Sequence, residues 1–246
     1  MKRLGIIFSI ICAVSYTGAL GAGTCPDIPM PKYDGAAEVV CHRAYEALYD
    51  AKLHVPRVVA YELTGKHSLG CLPRASGFHS ELDSAKPGAY DGTGYDLGHM
   101  APAQDMAWDD DVSRDSFSMI NVSPQLPGLN RQLWERGEEY VRAVALERGD
   151  LLVYVGPILS DKPKMVNGVA VPSAFFKIVI DRKTGEMLAF ELPQKSLAKG
   201  PLDPWLTAVT AIEQETGIHF GEHVNGNALW PADLAAWHAA HKANCK

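Results

Sequence analysis

Two short stretches hold the side chains best suited to chemistry. In "GYDLGHMAPAQDM", residues 94–106, His99 follows Asp96 by three positions and sits between Gly98 and Met100. An imidazole titrates at about 6.5, so near neutral pH it can take a proton from water, bind a metal or lie inert in a core. Gly92, Gly94 and Gly98 permit close approach of backbone or ligand, and Pro102 ends any strand soon after. His99 is therefore expected at a strand end or in a turn, common places for function. In "NVSPQLPGLNRQLWERGEEYVRA", residues 121–143, Asn121, Gln125 and Asn130 surround a proline-rich turn. Asn130, Trp134, Glu138 and Arg142 then recur every fourth residue. On a helix each such step drifts by about 40°, so Asn130 and Glu138 share a face. A plainer reading makes Asn130 a cap and Glu138–Arg142 a surface ion pair of small value.

The elements that must position these residues follow from pattern. Residues 55–63, 150–159, 173–181 and 184–193 read as strands, with "DRKTGE" as the turn between the last two. Residues 129–148 read as a helix despite Gly137, which costs about 1 kcal/mol in a helix interior. Residues 37–51, "AEVVCHRAYEALYDA", carry apolar residues at near-helical spacing, and 202–216 form another helix candidate, stopped by Gly217. Strands and helices mix without βαβ alternation. The expected class is α+β: a largely antiparallel central sheet flanked by helices.

The first 22 of the 246 residues differ from the rest. Lys2 and Arg3 precede an apolar run, Leu4 to Val14, and small residues follow up to Ala22, as in a cleaved signal peptide. An uncleaved anchor helix is the alternative, but the run is short for a membrane span. Residues 23–246 then read as one domain, secreted or periplasmic, with no stable membrane association. Loss of the leader removes Cys12 and leaves Cys25, Cys41, Cys71 and Cys245, enough for two disulfides in any of three pairings. No Cys-x-x-Cys pair suggests a thiolate zinc site. The net charge is −6, and −8 without Lys2 and Arg3. Bulk charge thus opposes non-specific nucleic-acid binding, so any phosphate contact must come from a few placed cations or a metal.

Taken in order, "YDLGHMAP", "NVSPQ", Asn130 five residues after Gln125, then Trp134 and Glu138 resemble the DNA/RNA non-specific endonucleases, the ββα-metal nucleases of the Serratia nuclease and endonuclease G type. "RVVAYEL", "VGPIL", "VPSAFFKIVID" and "IEQETGIHF" extend the resemblance over about residues 55–221. It implies a ββα-metal motif and hydrolysis of DNA and RNA without sequence specificity, leaving 5′-phosphate and 3′-hydroxyl ends. His99 matches the family's general base. Asn130 matches the direct ligand of Mg²⁺, for which Mn²⁺ can substitute, and Glu138 matches the acid that orients metal-bound waters. Arg142 and Arg74 match phosphate-binding arginines. Asn121 and Gln125 look like supports of the site's loop, and Asp96 like a scaffold acid bonded to nearby backbone. The departure is Leu97, where the family usually has Arg. It leaves room for a catalytically weakened or inactive nucleic-acid-binding relative, or for another cation, such as Arg131, in its place.

"HFGEH", 219–223, fits one zinc-protease pattern, but only on a helix, which Gly217 and Gly221 oppose. His238 and His241, in "WHAAH", read as surface histidines on a C-terminal helix. The substrates expected are DNA and RNA. An immunity protein or a homodimer partner is not legible from the chain.

Overall fold

The computed structural model describes residues 25–246 apart from Leu82, His223 and Asn227, so the leader and Cys12 lie outside the described residues. Strands β1 (Lys32–Tyr33), β2 (Glu38–Cys41), β3 (Tyr45–Asp50) and β4 (Val55–Leu63) come first, then β5 (Asp96–His99), helix α1 (Asp110–Asp115) and β6 (Val122–Gln125). A short helical turn α2 (Pro127–Leu129) and a π-helical turn (Asn130–Trp134) lead into α3 (Glu135–Arg148). Then follow β7 (Leu151–Ile158), β8 (Lys164–Val166), β9 (Val169–Val171), β10 (Ala174–Asp181) and β11 (Glu186–Pro193). Helix α4 (Val209–Thr216), β12 (Ile218–His219), β13 (Val224–Asn225) and α5 (Leu234–Asn244) complete the chain.

The main sheet runs in the order β13-β11-β10-β7-β4-β3-β2. Every pairing in it is antiparallel except that of β11 with β13. This is the α+β architecture expected. Both faces of the sheet are covered, which is why its central strands read as nearly continuous apolar runs. Val59, Tyr61, Val153, Phe175 and Phe190 join the core beneath α3, while Val58, Ala60, Tyr154, Phe176 and Ile178 join the one beneath α4. Neighbouring residues thus point to opposite cores, as the period of two requires. Phe175 and Phe176, one on each face, are both fully buried, each worth about 1.5–3 kcal/mol in area removed from water.

Two helix expectations need correction. Residues 37–51 form strands β2 and β3, joined by a tight turn in which His42 N donates to Tyr45 O. Val39, Val40, Tyr45 and Tyr49 are β-branched or aromatic, and pairing with β4 outweighs a spacing that fitted a helix. The second is 202–216. Asp203–Trp205 make a single 3-10 turn, and α4 begins only at Val209, because Leu206 bridges Phe190 and Thr207 N donates to Ala189 O at the side of β11. Gly217 does end α4, in the left-handed conformation at φ 67°.

The disulfides join Cys25 to Cys41 and Cys71 to Cys245. The first ties the N-terminal segment to β2 at the sheet's edge, where Val39 is 43% exposed. The second closes a separation of 174 residues, worth about 5 kcal/mol on a chain-entropy account. No helix among the described residues is long and apolar enough to cross a membrane.

Gly156 in β7 marks the tightest approach in the sheet centre: a Cβ there would lie 2.4 Å from the Arg57 carbonyl oxygen and 3.0 Å from the Phe176 ring. Gly156→Ala is expected to cost about 2–3 kcal/mol, read as a lower urea midpoint. An unchanged midpoint would contradict this account of the packing.

Candidate active site

His99 ends β5, which pairs with β6 in the register Asp96↔Gln125, Leu97↔Pro124, Gly98↔Ser123 and His99↔Val122. With the helix that follows β6, this pair makes the ββα arrangement. Gly98 is required by contact: a Cβ there would meet the Gln125 side chain at 2.5 Å and the Ser123 carbonyl oxygen at 3.0 Å. Just beyond His99, Asn121 clamps the chain. Its Oδ1 accepts from Ala101 N at 2.8 Å, and its Nδ2 donates to Ala101 O at 2.8 Å and Ser116 O at 2.9 Å. Asn121 and Gln125 are both wholly buried behind the hairpin. Neither polar atom of the Gln125 amide has a hydrogen-bond partner among the described residues.

The His99 ring is 8% exposed and lies against Phe78 and Phe117, with centroids 5.1 and 5.0 Å away. Its Nε2 is buried and has no hydrogen-bond partner among the described residues. Burial, helped by the positive charge of Arg74, pushes the imidazole down to about 3. His99 is therefore neutral at any ordinary working pH.

Asp96 joins the hairpin to the start of the helix. It accepts from Asn130 Nδ2 at 2.9 Å, and from Arg131 Nε at 2.8 Å and Nη2 at 2.5 Å. The sequence expectation that Asp96 bonds nearby backbone is thus corrected: its partners are two side chains about 35 residues on. Burial opposes its charge, but the hydrogen bonds from Arg131 and Asn130 outweigh burial and hold the carboxyl below the usual range. Because a carboxylate only accepts, it fixes the Asn130 amide with nitrogen toward Asp96. The amide oxygen is then the atom left for a cation. Asn130 itself stands in the π-helical turn, a distortion found often at functional sites.

Glu138 lies one helical stretch further on, half-buried above a group of charges inside the protein. Arg142 Nη1 donates to Asp105 Oδ1 at 2.9 Å, and the Tyr61 hydroxyl donates to Asp105 Oδ2 at 2.9 Å. The surface Glu138–Arg142 pair is therefore replaced by a buried Arg142–Asp105 pair. Lys177, from β10, is wholly buried, with its Nζ 4.9 Å from the Trp134 ring centroid and no hydrogen-bond partner for Nζ among the described residues. Burial pushes the Glu138 carboxyl up to about 7, although Lys177 and Arg142 pull it down. Burial likewise lowers the Lys177 ammonium against the pull of Glu138 and Asp105. Helix α3 comes this close because Gly137 leaves only 3.1 Å between an added Cβ and the Phe190 ring.

These parts open on a cleft of about 650 Å³. Arg74, Asp96, His99, Asn130, Glu138 and Arg142 all contribute to its wall, and so does Leu97. Arg74 is exposed, with its guanidinium 4.9 Å from the Phe117 ring centroid. Arg142 is only 4% exposed. The far wall is α5, from which Trp237, His238 and His241 face the cleft. His238 is exposed, as expected of a surface histidine, whereas His241 is partly buried. His219 lies in β12 and Gly221 has φ 84°, which removes the helix a zinc-protease pattern needs. Cys71, Cys245 and His241 cluster, but the two cysteines are bonded to each other and offer no thiolate.

Sequence reasoning missed Lys177, Asp105 and the α5 wall. The signal for Lys177 was a lone lysine within the apolar strand "AFFKIVID"; none marked Asp105.

The sequence profile of the DNA/RNA non-specific endonuclease family matches residues 28–227. The chain belongs to that family. Endonuclease G, mitochondrial, of Bos taurus is 28% identical over 216 residues, covering 79% of this chain and 72% of that protein. Nuclease C1 of Cunninghamella echinulata is 31% identical over 163 residues, covering 60% and 64%. Nuclease 1, mitochondrial, of Schizosaccharomyces pombe is 31% identical over 165 residues, covering 58% of this chain; the match spans 51% of that longer protein. The solved structure of an EndoG/EndoGI complex, described as showing the mechanism of EndoG inhibition, superposes with a TM-score of 0.69 at 25% identity. It covers 78% of this chain and 89% of that one. The names of the family and of these relatives mark non-specific nucleases, hydrolases acting on nucleic acids. The endonuclease profile ends before α5 begins.

The raised Glu138 carboxyl makes a stability prediction. Between the ordinary glutamate range and about 7, the folded state holds a proton that the unfolded state has lost, so stability falls as pH rises through that window. Glu138→Gln is expected to stabilise the protein at about pH 8 by at most about 3 kcal/mol, with the gain vanishing near pH 4. Thermal melts in EDTA at both pH values test this. Equal melting temperatures at pH 8 would refute it.

Proposed function

We propose that this family member is an exported, Mg²⁺-dependent endonuclease that cuts DNA and RNA without sequence specificity. The observation that carries the reading is one cleft wall shared by a neutral, buried His99, an Asn130 amide oriented by Asp96, and Glu138. His99 would take a proton from the water that attacks phosphorus in line, and the 3′-oxygen would leave, giving 5′-phosphate and 3′-hydroxyl ends. An imidazole held so low is always ready but accepts a proton weakly. A phosphate docked beside Arg74 offsets the charge that helps depress it, so substrate itself strengthens the base.

The residues fit a hard cation, since the Asn130 carbonyl oxygen is left over once Asp96 takes the amide nitrogen. A bound Mg²⁺, or Mn²⁺ in its place, would supply positive charge against the phosphate and leaving oxygen. Glu138, on the same wall, would orient its waters. Arg74 is exposed for phosphate binding, while Arg142 would bind it only after leaving part of its present packing. The leader pattern and the two disulfides support a secreted or periplasmic location. The inhibitor complex of the structural relative supports a proteinaceous inhibitor as a partner class.

The mature protein, incubated with supercoiled plasmid and with RNA, is expected to cut both in Mg²⁺ and neither in EDTA. His99→Ala is expected to lower the rate by about 10²–10⁴-fold. Cutting that persists in EDTA or in this variant overturns the reading.

Leu97 favours a second reading, a slower relative on the same fold. It packs partly against Tyr90, Val122 and their neighbours and brings no charge to the cleft. Arg131, held on the adjacent Asp96, is the nearest substitute. If a missing arginine limits the reaction, Leu97→Arg raises kcat or lowers KM by several-fold; identical constants would count against this second reading.

A further inference from the structure

Helix α5 follows the stretch that matches the endonuclease profile, yet it forms a wall of the cleft. It is pinned there by several independent contacts. Trp237 Nε1 donates to Ser68 O at 3.1 Å and Asn244 Nδ2 to Leu69 O at 2.8 Å. His241 Nε2 lies 3.0 Å from Gly70 O, which also accepts from Gln104 Nε2 at 2.6 Å. The same His241 Nε2 lies 3.2 Å from Gln104 Nε2, so the ring, the Gln104 amide and the Gly70 carbonyl form one polar cluster. The Cys71–Cys245 disulfide closes this seam covalently, three residues before Arg74. On its inner side Trp237 covers the Arg142 guanidinium, 4.9 Å from the ring centroid.

This arrangement leaves the cleft short of free cations. Arg131 is bound to Asp96 and Arg142 to Asp105. Among the described residues Arg74 is the one arginine of the wall without a carboxylate partner, while Glu135, Glu138 and Glu139 also face the space. A polyanion lying along the cleft needs donors on the α5 side as well. His238 is exposed and faces the cleft, and its ring packs on Trp237 at 4.8 Å. It has no hydrogen-bond or ion-pair partner among the described residues.

We propose that α5 is a disulfide-pinned, nucleic-acid-contacting wall in which His238 meets a backbone phosphate flanking the bond to be cut. The proposal rests on the endonuclease reading for its ligand class. It adds a subsite from a segment outside the family match. Trp237 is too buried to stack on a base, so the contact is to the backbone and is blind to sequence.

The test is binding in EDTA, which needs no cleavage. Anisotropy of a short fluorescein-labelled DNA duplex is followed with wild type, His238→Ala, His238→Lys and His238→Glu across a salt series. His238 is exposed, so these changes leave the fold intact. His238→Lys is expected to tighten binding and to steepen log Kd against log salt by about 0.9, one added phosphate contact. His238→Glu is expected to weaken binding about threefold to tenfold, with His238→Ala between. Cys71→Ser with Cys245→Ser, which unpins the wall, should shrink the difference between Lys and Glu at 238. Equal Kd values and slopes across the 238 series overturn the proposal. A wild type that binds with these shifts but cuts nothing in Mg²⁺ would instead sink the nuclease reading and leave the subsite standing.

Discussion

One carboxylate connects the two halves of the site. Asp96 belongs to the strand that ends in His99, and it grips Asn130 and Arg131 at the start of the helix that carries Glu138. Through it the spacing of candidate base and candidate metal ligand is fixed by a three-way hydrogen-bonded link rather than by loop geometry. The same link settles which end of the Asn130 amide faces the cleft. Asn121 does the corresponding work on the far side of His99, fastening the chain through three hydrogen bonds.

Below this link lies a costly arrangement. Asp105, Arg142, Lys177 and Glu138 bring four ionisable groups into or beside the core under α3, and the Lys177 Nζ has no hydrogen-bond partner among the described residues. Buried charges of this kind are destabilising unless well partnered. The apolar faces of β7, β10 and β11 carry enough packing to tolerate them. The arrangement holds Glu138 close to its titration point. Its charge is then sensitive to what enters the cleft, as befits a group proposed to work beside a cation.

The sheet was legible because its strands leave a signal that needs no tertiary context: apolar runs of β-branched and aromatic residues bounded by turns. The site was legible where residues are near in sequence or recur at helical spacing, as with Asn130, Trp134 and Glu138. Residues 37–51 carry Val40, Ala44, Ala47 and Ala51 at helical spacing, and only pairing with β4 decides for strands. Asp96 pointed to scaffolding, but nothing local reveals a partner about 35 positions away. Asp105 and Lys177 become a pair of interest only once the sheet has brought β10 beneath α3. The histidines of α5 gained meaning in the same way, because a disulfide spanning 174 residues folds the chain's end against its first third.

The Cys25–Cys41 disulfide has a consequence for colonies of this molecule rather than for the single chain. Among the described residues β2 is the outer strand of the sheet on that side, four residues long, with an exposed valine. Such an edge is a template on which a second copy can add a strand. Tying Cys41 to the N-terminal segment covers the end of that template, and Glu38 puts a negative charge at the other end. Reducing that bond would uncover this end of the edge, so the Cys25–Cys41 pair ties the order of the N-terminal segment to the protection of β2.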